Sequence, residues 1–440
     1  MSGLSTAHAP ALDLPARFML LGVTIFGLLA TAAAWTMPLL LTSFAAPHLL
    51  AFVHANTVGV IGALAIGASY QLTPIVTEQP LASERLGRLS FWAYLVGLLA
   101  FVTGLATEWL PVLAAGGTLL GLAFGLYIGV IAVTLYQAPR RDVVTWHIAV
   151  ALVNLSAAVG LGVALACNKA FGFLGDQTLA LLATHATLML GGWVLVLISG
   201  VAYRLVGMFT LAEDILWRPA AWAGLALTAT GPWLLGARWL LFHNRWWGVA
   251  GALALSGGSL LLVAQLVHLY RRRRRRGFDI HIPFALSAAS LAASSALLLL
   301  LGQLLDAPLG SALWIAAGWL AIAGMAETAI QGFFYKIATF LVWLQRYAPL
   351  AGRERVPRLE ELYSPRLALA GWGWWLLGLL GATAAIAAHS VLLARVAGAA
   401  QTIGLACFLW NVLLIGGHWR ARTIPPRPAA LRVNRERSPR

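Results

Sequence analysis

The sequence predicts an all-α, polytopic membrane protein of about twelve transmembrane helices, and three observations predict it. The 440 residues are 60% hydrophobic and 10% charged, with a mean hydropathy of +0.82, whereas soluble chains carry about 25% charged residues. Apolar stretches long enough to cross about 30 Å of hydrocarbon recur along the whole chain. No long alternating apolar–polar segments suggest a barrel, so helices, which satisfy their own backbone, are the spanning solution that fits. The formal net charge of +15 does not argue for nucleic acid, because most of the cations are arginines set between apolar runs. Membrane lipids are the partner such cations suit. Cys167 and Cys407 both sit inside apolar runs, which excludes a disulfide framework and a Cys-based zinc site. The first sixteen residues show neither a basic n-region nor an A-x-A site, so no cleaved signal peptide is expected.

The apolar runs place helices at about 17–44, 49–76, 89–110, 112–137, 143–168, 177–210, 219–242, 247–270, 280–305, 310–345, 366–394 and 398–418. Pro74, Pro139, Pro219, Pro283, Pro349 and Pro365 fall at or near the ends of these runs, where helices accept them. Cations follow the same count. The loops after even-numbered helices collect most of them, including Arg140, Arg141, Arg271 to Arg276, Arg353, Arg355 and Arg358, whereas those after odd-numbered helices hold Lys169, Arg238, Arg245 and Arg395. The bias predicts a cell (inner) membrane protein with both termini cytoplasmic. Arg271–Arg276 reads as a positive-inside anchor in preference to a lipid-headgroup patch. Residues 419–440 form a basic, Pro- and Arg-rich tail expected to be disordered.

An internal repeat runs through the chain. Gly59, Gly67 and Tyr70 recur as Gly192, Gly200 and Tyr203, and again as Gly324, Gly332 and Tyr335, with Gln71, Arg204 and Lys336 after each tyrosine. These segments are helices two, six and ten, so the repeating unit is four helices, over about 17–137, 143–270 and 280–418. The paired glycines lie close to one helix face and admit a neighbouring helix or a flat ligand.

On this pattern, with His54-x4-Gly-x7-Gly-x2-Tyr on helix two and Thr184-His-Ala-Thr-Leu-Met-Leu-Gly-Gly-Trp on helix six, the chain resembles subunit I of the haem-copper oxidase superfamily. The likeness is strongest to the C-type oxidase and nitric-oxide-reductase branches. It implies three four-helix arcs with pseudo-threefold symmetry, a b-type haem, and respiratory subunits or a cytochrome donor as partners. It also implies that His54 ligates the low-spin haem and that His185 stands nearest to the family's helix-six copper ligand. The family's helix-seven His-His pair and helix-ten His-x-His have no counterpart here, so copper and the reduction of oxygen or nitric oxide are not expected.

The residues themselves give a parallel reading. Ionisable groups at membrane depth are costly and mark sites. His54 lies about 8 Å inside the outer end of helix two at 1.5 Å per residue, with His185 on helix six and His389 on helix eleven at similar depth. Imidazole is a standard axial ligand of haem iron, and Met325 offers a thioether. His54 and His185 are the candidate metal ligands; His54, His185, His389 and Met325 are the candidate cofactor ligands. His147, His281 and His418 read as interfacial polar groups at helix ends. Glu327, Gln331 and Tyr335 form an i+4 stripe on helix ten, either a proton path or a structural network with Lys336 or Arg204. No CxxCH, P-loop or HExxH sequence occurs. Three functions stay open: a subunit I-like haem protein of electron transfer, an NnrS-like haem and copper protein of nitric-oxide response, and a cofactor-free transporter.

Overall fold

The computed structural model describes residues 10–420 apart from Arg140, Arg276 and Phe278. Much of the basic tail, and one residue of the Arg271–Arg276 run, therefore lie outside the described residues. The helices are α1 (Asp13–Leu41), α2 (Pro47–Thr77), α3 (Glu84–Thr107), α4 (Leu110–Tyr136), α5 (Val143–Phe171) and α6 (Gly175–Thr210). α7 runs over Arg218–Ala237 and continues to Phe242. The rest are α8 (Arg245–Arg272), α9 (His281–Leu304), α10 (Ala312–Arg346), α11 (Pro365–Ala388) and α12 (Val391–Trp419). Among the described residues there is no named strand.

Eleven of these helices are long and apolar enough to cross a membrane, one fewer than the sequence predicts. The exception is α7, which carries Pro219, Pro232, Thr228, Thr230 and Arg238 and is too polar along its length. It still packs along α8 as a full-length partner. The chain is a multi-pass, all-α membrane protein.

Local chemistry sets the helix ends. Ser83, Asp142, Asn244 and Ser364 each accept a backbone N–H of the first turn of α3, α5, α8 and α11, which satisfies donors that lipid cannot. Glu78, Glu108, Leu211, His243, Asp306 and His389 adopt left-handed conformations at the other ends, the usual turn out of a helix.

Helix pairs recur in the packing. Neighbours α3 and α4, α7 and α8, and α11 and α12 form tight antiparallel hairpins, and α4 meets α5, α8 meets α9, and α12 meets α1. Each hairpin is pulled together by glycines facing backbone. A Cβ on Gly116 would stand 2.4 Å from the Phe101 nitrogen, one on Gly251 would stand 2.7 Å from the Gly231 carbonyl, and one on Gly404 would stand 2.9 Å from the Gly371 carbonyl.

The repeated glycines have one role. Gly59 and Gly67 lie against α1 at Ile25 and Pro15, Gly192 and Gly200 against α5 at Asn154 and His147, and Gly324 and Gly332 against α9 at Leu291 and Phe284. They admit the preceding helix, not a flat ligand. The repeated tyrosines are buried; the Tyr70 hydroxyl lies 2.9 Å from Ser90 Oγ, and Tyr335 accepts from Asn411 Nδ2 at 3.3 Å.

One feature of these three helices has no signal in composition. Each widens into a π-helix at the same place in the repeat: Ala55–Gly62 in α2, Leu188–Val194 in α6 and Leu320–Glu327 in α10. The α10 segment touches the other two. Single π turns inside α-helices concentrate at functional sites, and here they bring α2, α6 and α10 together beside a cavity.

Leucine at position 116 would collide with backbone that has nowhere to move, and overpacking of this kind costs about 1–3 kcal/mol. Gly116→Leu is therefore expected to lower the thermal midpoint of the detergent-solubilised protein by at least a few degrees. Gly125→Ala, on the same helix with nothing within 4 Å of an added Cβ, is expected to leave it unchanged.

Candidate functional site

A cavity of about 370 Å³ lies between α2, α4, α5, α6 and the π segment of α10, within the range of small-molecule and cofactor sites. Its walls are almost wholly apolar, with Val53, Leu120, Phe124, Val163, Leu182 and Ile322 among them, and His54, His185 and Met325 line it together.

The two histidines are held alike. His54 stands one residue before the π segment of α2, and its Nδ1 lies 2.7 Å from the Leu50 carbonyl oxygen. His185 stands in α6 ahead of the second π segment, with Nδ1 2.8 Å from the Ala158 carbonyl oxygen of α5. A carbonyl only accepts, so each Nδ1 carries the proton and donates, leaving the Nε2 lone pair free. The rings are nearly parallel at 19°, with centres 6.3 Å apart. His54 also meets the Phe101 ring edge-on at 5.0 Å. Gly162 makes room for His185: a Cβ there would come within 2.8 Å of Cε1.

Metal-binding imidazoles characteristically donate their second nitrogen to a carbonyl or carboxylate, which fixes tautomer and orientation. Both rings have that arrangement. With both Nδ1 atoms engaged and the ring centres 6.3 Å apart, the two Nε2 atoms are the ones that would hold a metal between these rings. No group of three His, Cys, Asp or Glu that could hold a metal occurs among the described residues. A metal held by these two rings therefore takes its remaining ligands from its own cofactor, or has none.

The other candidates separate. Met325, 2% exposed, lines the same cavity from α10. His389 does not: α11 ends at Ala388, and His389 is the exposed left-handed residue that follows. The expected depth is corrected because the helix stops six residues short of the predicted 394.

Glu327, Gln331, Tyr335 and Lys336 are all buried along α10. Glu327 Oε1 and Gln331 Nε2 have no hydrogen-bond partner among the described residues. Just beyond Glu327, Thr328 Oγ1 donates to the Ala323 carbonyl and accepts from Trp375 Nε1 at 2.8 Å. Arg204 is not part of this stripe; it lies 3.7 Å from Glu213 and is partly exposed. Lys336 instead pairs with Asp279, in the short connection before α9, and lies over the Phe209 ring. His281 Nδ1 is 2.8 Å from Asp279 Oδ1. His281, read from sequence as an interfacial group, is fully buried in this triad, and His147 is 1% exposed with Nδ1 on the Val143 carbonyl. Asp279 is what sequence reading missed: beside an arginine run it looks like a solvated loop acid. Burial pushes its carboxyl up, but His281 and the Lys336 ammonium pull harder and leave it at about 2.

No family model matches the chain, and no curated protein matches it in sequence.

The triad sets an acid limit. A carboxyl depressed from 3.8 to about 2 contributes stability that is fully present above its ordinary value and lost as pH falls from there through about 2. Removing one partner of a buried pair costs about 3–5 kcal/mol. Asp279→Asn is therefore expected to lower the thermal midpoint at neutral pH by several degrees. It should also flatten the loss that the wild-type protein shows on titration below its ordinary carboxylate range, both followed by melting in detergent.

Proposed function

We propose that this chain is a membrane-embedded haem protein, with His54 and His185 ligating the iron of one b-type haem from its two sides. The observation that carries the reading is the matched pair of Nδ1-to-carbonyl hydrogen bonds, which leaves two Nε2 lone pairs at one cavity with ring centres 6.3 Å apart. An apolar cavity suits the porphyrin face, and the macrocycle supplies the equatorial ligands that the protein lacks. Bound there, such a haem supplies one-electron redox chemistry.

The residues of the chain take defined parts in this reading. His54 and His185 would hold the haem iron, and two imidazole ligands would favour electron transfer over binding of a gaseous substrate. The Leu50 and Ala158 carbonyls hold the tautomers. Phe101 and Gly162 fix the rings in place, and the cavity wall keeps water from the iron. Met325 is the neighbouring thioether that can replace one imidazole. The α10 stripe from Lys336 through Tyr335 and Gln331 to Glu327 is the route for a compensating proton.

The recurring hairpins and the three π segments support a scaffold of three four-helix arcs like that of oxidase subunit I. Within it the arginine-rich face and both termini are cytoplasmic, in the cell's inner membrane, with a respiratory subunit or cytochrome donor as redox partner.

An NnrS-like copper reading has one observation in its favour, since the two neighbouring imidazoles could also hold Cu(I).

Optical spectra of the detergent-purified protein, oxidised and dithionite-reduced, with pyridine haemochrome and metal analysis, test the reading. A reducible b-type spectrum near one haem per chain is expected, lost in His54→Ala and His185→Ala and kept in His389→Ala. Copper without haem transfers the site to the second reading. A colourless, metal-free protein that cannot be reconstituted with haem sinks both and leaves a transporter.

A further inference from the structure

Lys169 is the one charged side chain lining the cavity among the described residues. It is also one of only two lysines in the sequence, the other being the buried Lys336. Its place follows from the helix that supports His185. Along α5, Ala158 gives the carbonyl to His185 Nδ1, Gly162 lies under the imidazole, and Leu165, Ala166 and Lys169 continue the cavity wall. Spacings of four, three and four keep these positions on one helix face. Lys169 is thus about 10 Å along the axis from Gly162, at 1.5 Å per residue.

The surroundings leave the ammonium free. Lys169 is exposed and forms no ion pair among the described residues, whereas Arg238 on the same face is engaged by Asp306 at 2.6 Å and Arg245 lies over Trp246. No acidic side chain lines the cavity. The rim beside Lys169 is built: Asn168 Oδ1 accepts the Leu174 N–H at 2.6 Å, and its Nδ2 lies 3.3 Å from Thr178 Oγ1. That pins the α5–α6 connection across the mouth, with Thr178 itself in the lining.

We propose that Lys169 is the anion anchor of the cavity, pairing with a carboxylate at the edge of the ring that His54 and His185 hold; this rests on the haem reading above. A lysine stem spans about 6 Å and keeps its charge in water and its methylenes on apolar surface, so the ammonium can meet an anionic edge at the mouth. A ring held there would turn its carboxylate edge toward Lys169 at the arginine-poor face and its apolar edge into the cavity.

The test titrates full-length apoprotein in detergent with haemin and with haemin dimethyl ester, in which both edge carboxylates are replaced by uncharged methyl esters. Lys169→Ala is expected to weaken haemin binding about fivefold, the scale of a partly exposed ion pair. Lys169→Glu should weaken it further and Lys169→Arg restore it, while the ester binds all four proteins alike. Raised salt should narrow the gap between wild type and Lys169→Ala for haemin alone. Equal haemin affinity in wild type and Lys169→Ala overturns the anchor and leaves the histidine site standing. Failure of wild type to bind either porphyrin overturns both.

Discussion

An imidazole at hydrocarbon depth has no water to answer its N–H, so the protein must answer it, and at His54 and His185 it does so with backbone carbonyls. Everything else about the site follows from that bond. A carbonyl cannot donate, so it dictates which nitrogen carries the proton. The remaining lone pair is aimed by the helix that owns the carbonyl: α2 itself for His54, and α5 for His185. Because His185 depends on α5, the site exists only where α5 and α6 pack closely, and Gly162 and the Gly192–Asn154 contact allow that. Packing, tautomer and ligand geometry are one problem solved by small residues.

The same demand is met differently at the other end of the bundle. There Asp279, His281 and Lys336 form a buried triad at the junction of α9 and α10. Three polar groups that would each be costly alone are held within ion-pair distance of one another around the Asp279 carboxylate. The triad fixes the base of α10, while the π segment at mid-height carries Met325 to the cavity. Asn154 shows the principle on a smaller scale: its side chain donates to the Val150 carbonyl and accepts from Trp233 Nε1.

Much of this was legible in the sequence because bilayer thickness and arginine placement constrain it tightly. The twelve helices were found to within a few residues at most ends. α11 was overrun because the alanines before His389 and the leucines after it are equally apolar, and only the left-handed turn at His389 separates them. Depth along the helices groups His54 and His185 with His389, and of these the cavity takes His54 and His185, with Met325 beside them. Asp279 was not legible, since nothing local distinguishes a buried acid from a solvated one when its partners are 2 and 57 residues away. The destination of Arg204 was equally hidden: it follows the repeat's tyrosine as Lys336 does, but finds Glu213 just beyond its own helix. The apolarity of α7 was overread because its flanking leucines mask two prolines and an arginine.

The π segments change how these helices tolerate edits to their length. An α-helix carries its faces by a fixed angle per residue, so inserting or deleting one residue turns everything beyond it by about 100°. A π turn already holds a surplus residue. A single deletion inside 55–62, 188–194 or 320–327 can be absorbed by tightening the turn to α, with the distal half kept in register. The same deletion a few turns away would swing the repeat's glycines off their partner helix. A fourth π turn, Arg238–Phe242, ends α7; the three inside α2, α6 and α10 give this bundle slack in chain length beside the cavity that His54 and His185 line.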